Sequence, residues 1–225
     1  MSRYVIISGG RSGTQLMVDL LESHPQIISS DEVLNPAVNA FDYPLKALEE
    51  VYAYPDRTCG FKLLYHHADV TEGPAIWEYL QKQKDLKIIH SVRDNSLARI
   101  ISLKISQETG VWHHFSEREM STKVKLKPQQ CNDIWSHWDE REGYVDESFS
   151  DHPILKVHYS DLARDIPGTM DKVQKFLGVE PRELKSRIKK RCGHPFDRLE
   201  NFEELRQHFK GTKWEWFFSD EDPYP

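Results

Sequence analysis

The chain has 225 residues, of which 38% are hydrophobic and 29% charged, with a formal net charge of −6. These proportions fit a globular protein of one domain with a sizeable core, and argue against an intrinsically disordered chain. The acidic total argues against a general nucleic-acid role, which calls for a basic face, but leaves room for a local basic pocket.

Tyr4 to Ser8 is a short apolar run that meets Gly9-Gly10, as a buried strand entering a glycine turn does. Thr14 to Ser23 then carries Leu16, Met17, Leu20 and Leu21 at helical spacing, and His24-Pro25 ends it. Ile27-Ile28 is a second short strand and Cys59 to Leu64 a third. Pro74 to Gln83, with Ile76, Trp77 and Leu80, reads as a helix with proline near its start. Lys87 to Val92 is a fourth strand, Asn95 to Glu108 a helix, and Ile154 to His158 a fifth strand. Thr169 to Leu177 is a helix closed by Gly178. Strands alternating with helices predict one α/β domain over 1–225, with a mostly parallel central sheet flanked by helices. The polar, lysine-rich stretch 113–130 reads as a mobile loop, and the acidic tail 219–225 as a frayed end.

The cysteines, Cys59, Cys131 and Cys192, are far apart and show no metal-ligand spacing. The opening MSRYVIISGG has no signal-peptide pattern, and no apolar stretch approaches the roughly 18–20 residues that span a bilayer. A cytoplasmic protein with reduced thiols and no membrane span is expected.

The first strand and first helix frame GGRSGTQLM. Unpaired backbone N–H groups at a helix N-terminus attract a phosphate. Gly10 and Gly13 let the backbone approach closely, Ser12 and Thr14 add hydroxyl donors, and Arg11 adds a fixed charge. An ordinary glycine turn explains the same letters less economically. The loop is not GxxxxGK[ST], because no lysine precedes Thr14, and the chain has no GxGxxG.

Residues 10–25, GRSGTQLMVDLLESHP, resemble the 5′-phosphosulfate loop of sulfotransferases that use 3′-phosphoadenosine 5′-phosphosulfate (PAPS). The likeness extends to the tyrosylprotein sulfotransferases and to bacterial enzymes of the trehalose-sulfating type. Gly10 stands where the family often has proline. Residues 93–102, RDNSLARIIS, resemble the family's 3′-phosphate motif, which implies Arg93 and Ser102 as its ligands, nine residues apart as in the bacterial branch. Residues 155–179 and 201–217 resemble the late strand, the helix ending in FLG and the C-terminal stretch of the same family.

The resemblance implies PAPS as donor, with Gly10, Arg11, Ser12, Gly13, Thr14, Gln15, Arg93 and Ser102 around it, and no metal. It implies Arg11 and Lys62 as the cations at the sulfuryl group and Glu32, twenty-one residues past Arg11, as the base. Asp31 is a neighbouring substitute. His66 and His67 are rivals as base, although they stand four and five residues after Lys62 rather than two, where Leu64 sits. His113 and His114 read as surface residues. The basic run Arg182, Lys185, Arg187, Lys189, Lys190 and Arg191 reads either as a solvated face or as a further 3′-phosphate contact.

The expected acceptor is a small molecule or carbohydrate with a hydroxyl, and Trp112, Tyr65 and Phe41 are candidates to stack on it. Two alternatives stay open on sequence: a P-loop small-molecule kinase, and a nucleotide-binding module without catalysis. The acceptor's identity and the oligomeric state are not legible.

Overall fold

The computed structural model describes residues 1–35, 44–70, 73–112, 122–188 and 194–219. The elements run in the order β1 (Arg3–Ser8), α1 (Thr14–Glu22), β2 (Ile27–Ser30), α2 (Pro44–Val51), β3 (Thr58–Leu64), α3 (Tyr65–Val70), α4 (Gly73–Lys82) and β4 (Lys87–Val92). After these come α5 (Ser96–Thr109), α6 (Pro128–Ser148), β5 (Ile154–His158), α7 (Tyr159–Arg164), α8 (Ile166–Leu177) and α9 (Phe202–His208). The five strands form one sheet in the order β2-β3-β1-β4-β5, and every pairing is parallel. The sheet expected as mostly parallel is wholly so.

Alternation along β1 explains the two-sided core, because successive side chains point to opposite faces of a strand. Val5 and Ile7 join Phe61, Leu63, Ile88, Leu48, Ile76 and Leu80 on one face, under α2 and α4. Tyr4 and Ile6 join Met17, Leu21, Ile89, Leu162, Met170 and Val173 on the other, under α1, α7 and α8. A third cluster lies to the side. There Ile100 and Ile101 of α5, Trp135 of α6, and Phe209, Trp214 and Phe217 near the C-terminus pack together.

The sequence marks the helix ends with familiar chemistry. Asn95 caps α5 by accepting from the Ala98 amide at 3.0 Å, and Asp165 caps α8 by accepting from Gly168 at 2.9 Å. Gly110 and Gly178 close the same two helices at positive φ. Asp94, next to that Asn95 cap, pairs with His158 at 2.9 Å.

The stretch 113–130, expected as a loop, is helical from Pro128 onward. Pro128 opens the 21-residue helix α6, and Val124 ahead of it is buried in a bridge to Leu199. Residues 113–121, with His113 and His114, lie outside the described residues, as do Phe41, 189–193 and the tail from 220. No helix among the described residues is long and apolar enough to cross a membrane.

The strand order positions the site. β1 is central and feeds leftward to β2, whereas β4 on its other side feeds outward to β5. Neighbouring strands whose connections diverge leave a crevice at their C-terminal ends, where ligands bind in open parallel sheets. Ser8 stands level with Leu64 of β3 and Ser91 of β4, so the loops after all three strands rise together at that end.

Candidate active site

The turn from Gly9 to Gly13 is built from inside. Ser12 is buried, and its hydroxyl donates to the Gly9 carbonyl at 2.7 Å. Ser91 of β4 donates to the Ser12 carbonyl at 3.0 Å. Gly13 has φ 78°, and a Cβ there would meet the Tyr159 ring at 2.6 Å, so both conformation and space demand glycine. Gly9 is equally confined, since a Cβ would fall 1.5 Å from Arg99 Nη2. Gly10, by contrast, has room for a side chain. Within the protein itself the steric demand for glycine rests on Gly9 and Gly13.

Arg11 adopts φ 70°, the left-handed region, at a cost of about 1–2 kcal/mol for a residue with a Cβ. Its Nε donates to Ser102 Oγ at 3.0 Å and its Nη1 to the Trp112 carbonyl at 2.7 Å. Arg93, buried at the end of β4, donates from Nη1 to the Arg11 carbonyl at 3.1 Å. Its guanidinium lies 4.6 Å from the centre of the Tyr159 ring. The crevice thus gathers Arg11, Arg93 and Ser102, which stand far apart in the chain. Thr14 opens α1 without a side-chain cap ahead of it and without an acidic residue in the first turn, so the helix keeps its positive end for an anion.

A second group stands beside it. Lys62 of β3 is buried, and its ammonium touches three partners: Asp31 Oδ1 at 2.7 Å, Glu32 Oε1 at 2.9 Å and Gln15 Oε1 at 2.5 Å. Gln15 belongs to the first turn of α1, so this cluster adjoins the phosphate turn. Glu32 also accepts from Asn35 Nδ2 at 2.6 Å and lies 3.6 Å from His67 Nε2. Burial alone would raise the Glu32 carboxyl, but Lys62 and Asn35 outweigh it and hold it below the ordinary range. Asp31 is held down the same way, with Lys62 again overcoming burial. Burial, aided by His66, pushes His67 down to about 4, so its imidazole is neutral at pH 7.

The family model described as "Sulfotransferase domain" matches residues 2–210. The chain belongs to the sulfotransferase family. It is 28% identical over 235 residues to nodulation protein H of Rhizobium tropici, covering 97% of this chain and 94% of the relative. It is 25% identical to nodulation protein H of Rhizobium meliloti, covering 96% and 94%. The sulfotransferase domain of the Synechococcus PCC 7002 olefin synthase has the same fold, with a TM-score of 0.57, 19% identity and coverage of 91% and 82%. The sulfotransferase domain of the curacin biosynthetic pathway gives 0.53 at 15% identity, covering 100% of this chain and 93% of that one.

For a sulfotransferase, the geometry sorts the residues anticipated from sequence. Arg11, Arg93 and Ser102 meet at the β1–β4 crevice, and Gln15, Glu32 and Lys62 meet beside it. His67 reaches Glu32, because the chain turns into α3 directly after Leu64. His66 is exposed and packs edge-to-face on His67, with ring centres 4.4 Å apart. Tyr65 does not face an acceptor: it is buried, its hydroxyl bonds His90 at 2.9 Å, and burial raises its pKa. Trp112 is half exposed beside Arg11. Arg187 pairs with Asp19 of α1, and the Lys185 amide bonds Ser23, so this part of the basic run lies along the flank of α1.

Sequence reasoning missed Arg99, Tyr159 and Asn35. Tyr159 lay within a stretch already matched to the family. Its place one residue past β5, at the same sheet end as Arg93, was a usable signal. Arg99 lies within RDNSLARIIS but reads as a polar residue on an amphipathic helix.

Proposed function

We propose that this sulfotransferase takes the sulfuryl group from PAPS and passes it, in line and without a metal, to a hydroxyl of a small-molecule or carbohydrate acceptor. The observation that carries the reading is the convergence of Arg11, Arg93 and Ser102 at one crevice, with Lys62 and Glu32 in contact beside it. In this reading Gly10 to Gln15 offer backbone amides, and Thr14 its hydroxyl, to the 5′-phosphosulfate, while the buried Ser12 hydroxyl braces the turn from within; Arg93 and Ser102 take the 3′-phosphate. Arg11 and Lys62 supply positive charge where negative charge develops on the leaving phosphate and the sulfuryl oxygens. Glu32 accepts the proton of the acceptor hydroxyl, and the oxygen freed of that proton forms the new S–O bond as the bond to the phosphate oxygen breaks.

Lys62 has a double part. In the described arrangement it is neutralised by Asp31 and Glu32. A sulfuryl group competing for the ammonium would loosen its hold on Glu32 and restore the basicity that a general base requires.

The test is binding followed by transfer. Calorimetry with adenosine 3′,5′-bisphosphate in EDTA should show one site, and saturation at about 100 times the dissociation constant should add about 2.7 kcal/mol of stability. Labelled PAPS should then deliver label to a hydroxylated acceptor from a screen of sugars and small alcohols. Stabilisation by ATP with Mg²⁺ and none by the bisphosphate would overturn the donor assignment.

A further inference from the structure

Two polar side chains beneath the phosphate turn are completely buried. Arg99 of α5 donates from Nε to the Gly10 carbonyl at 3.0 Å and from Nη1 to Glu142 Oε1 at 3.1 Å. Its guanidinium lies 3.7 Å from the centre of the Trp138 ring, and Nη2, pressed under Gly9, has no hydrogen-bond partner among the described residues. Burial lowers its pKa to about 10, offset by Glu142, and leaves it charged at pH 7. His90 of β4 bonds Tyr65 on one side, at 2.9 Å, and Asp146 Oδ1 on the other, at 2.8 Å. The Tyr65 ring lies close under Gly9, where a Cβ would meet Cε2 at 3.1 Å.

Glu142 and Asp146 are four residues apart on α6, hence on one face of the helix. That face reaches the Gly10 carbonyl through Arg99, and through His90 it holds the Tyr65 ring that lies under Gly9. Stability alone is a poor reason for such an arrangement. Burying a guanidinium with its carboxylate is often no better than a well-packed apolar pair of the same volume. What a rigid guanidinium fork supplies is direction. Arg99 draws the Gly10 carbonyl inward. In a trans peptide the N–H points opposite to the C=O, and the chain has no cis bond among the described residues. The Arg11 amide is thereby turned outward, toward the crevice.

We infer that Arg99, oriented by Glu142, is a positioning residue that turns the Gly10–Arg11 peptide so that its N–H serves the donor's 5′-phosphosulfate. The inference rests on the reading that this turn receives that group. It assigns α6 a part in donor binding although α6 contributes no residue to the crevice.

The test uses the full chain and two ligands that each carry one end of the donor, adenosine 5′-phosphosulfate and adenosine 3′-monophosphate. Loss of one well-aimed hydrogen bond predicts about tenfold weaker binding of the 5′-phosphosulfate by Arg99→Met. Glu142→Gln, which keeps volume and an acceptor oxygen, should lose about threefold, and both variants should bind the 3′-monophosphate as wild type does. Glu142→Gln decides the matter if Arg99→Met does not fold, folding being read from near-ultraviolet circular dichroism. Equal losses for both ligands, or an unchanged 5′-phosphosulfate affinity in a folded variant, overturn the inference alone. A wild-type chain that binds the 3′-monophosphate but not the 5′-phosphosulfate overturns the phosphate-turn reading, and this inference with it.

Discussion

Glu32 shares its two oxygens among an ammonium, an amide and an imidazole, and that company would set its strength as the base in the proposed reaction. Its pKa lies below the ordinary range despite burial, so at neutral pH it is ionised and ready to accept a proton, though weakly basic until Lys62 is drawn away. A positioned base typically supplies about 10²–10⁴ in rate. Glu32→Gln should lose that factor in single-turnover transfer while the bisphosphate affinity holds, since product release would otherwise mask a chemical defect. His67→Ala should lose less, because its imidazole meets the carboxylate only at 3.6 Å. A normal rate in Glu32→Gln together with a dead His67→Ala would move the base to the histidine. Arg93 permits a sharper test of the other end. Charge-assisted hydrogen bonds of roughly 1.5–3 kcal/mol imply that Arg93→Ala weakens the 3′,5′-bisphosphate about tenfold to a hundredfold. Adenosine 5′-phosphosulfate, which lacks the 3′-phosphate, should be barely affected. Equal losses would mean that Arg93 chiefly holds the Arg11 carbonyl in place.

At the scale of elements, the strands were the legible part. Each of the five carries an apolar run, longest in β1, β3 and β4, which are buried along nearly their whole length, and shorter in the edge strands β2 and β5. The helices α1, α4, α5 and α8 were legible from their periodicity, but α6 was not. Its 21 residues include only Cys131, Trp135, Trp138 and Val145 as buried positions, a narrow stripe in a strongly polar stretch preceded by lysines. The spacing of Cys131, Trp135 and Trp138 is helical, and Pro128 suits a first turn, so the signal was present but thin. Of the candidate site, Arg11, Arg93 and Ser102 could be anticipated because their motifs are local. What holds them could not: Arg99 reaches Gly10 across the fold, and nothing near it in sequence states that its end is buried. α6 depends on that narrow stripe, which makes it fragile. Trp135 packs on Phe209, Trp214 and Phe217, with ring centres 4.9 to 5.7 Å away. Trp135→Ala should cost about 3–5 kcal/mol in urea unfolding. A loss under about 1 kcal/mol would show that the cluster collapses onto the gap.

For the molecule as a whole, the buried ionisable groups set how stability depends on pH. Burial lowers His67 to about 4, with His66 adding to it. Burial also lowers His90, against Asp146, and lowers His152, with Lys84 adding to it. Below the unfolded value near 6.5 the unfolded chain binds protons at these positions and the folded chain does not. Stability therefore falls as pH drops through that window, by up to about 1.4 kcal/mol per pH unit for each such histidine. The carboxylates act lower down. Asp31, Glu32 and Asp146 are held below their ordinary values because Lys62 and Lys156, with His90 at Asp146, outweigh burial, so their contribution is lost only below about pH 4. Glu142 opposes them, since burial raises it despite Arg99 and the folded state gains its proton first. The sum predicts two falls on acidification, a histidine step from about pH 6.5 and a carboxylate step below about 4. Urea midpoints measured from pH 7.5 to 4 should drop before any of the lowered carboxylates titrates. His67→Asn, which cannot be charged, should flatten the upper step. A midpoint that stays level or rises between pH 7 and pH 5 would mean that these histidines take up protons in the folded state, and the neutral His67 beside Glu32 would have to be given up.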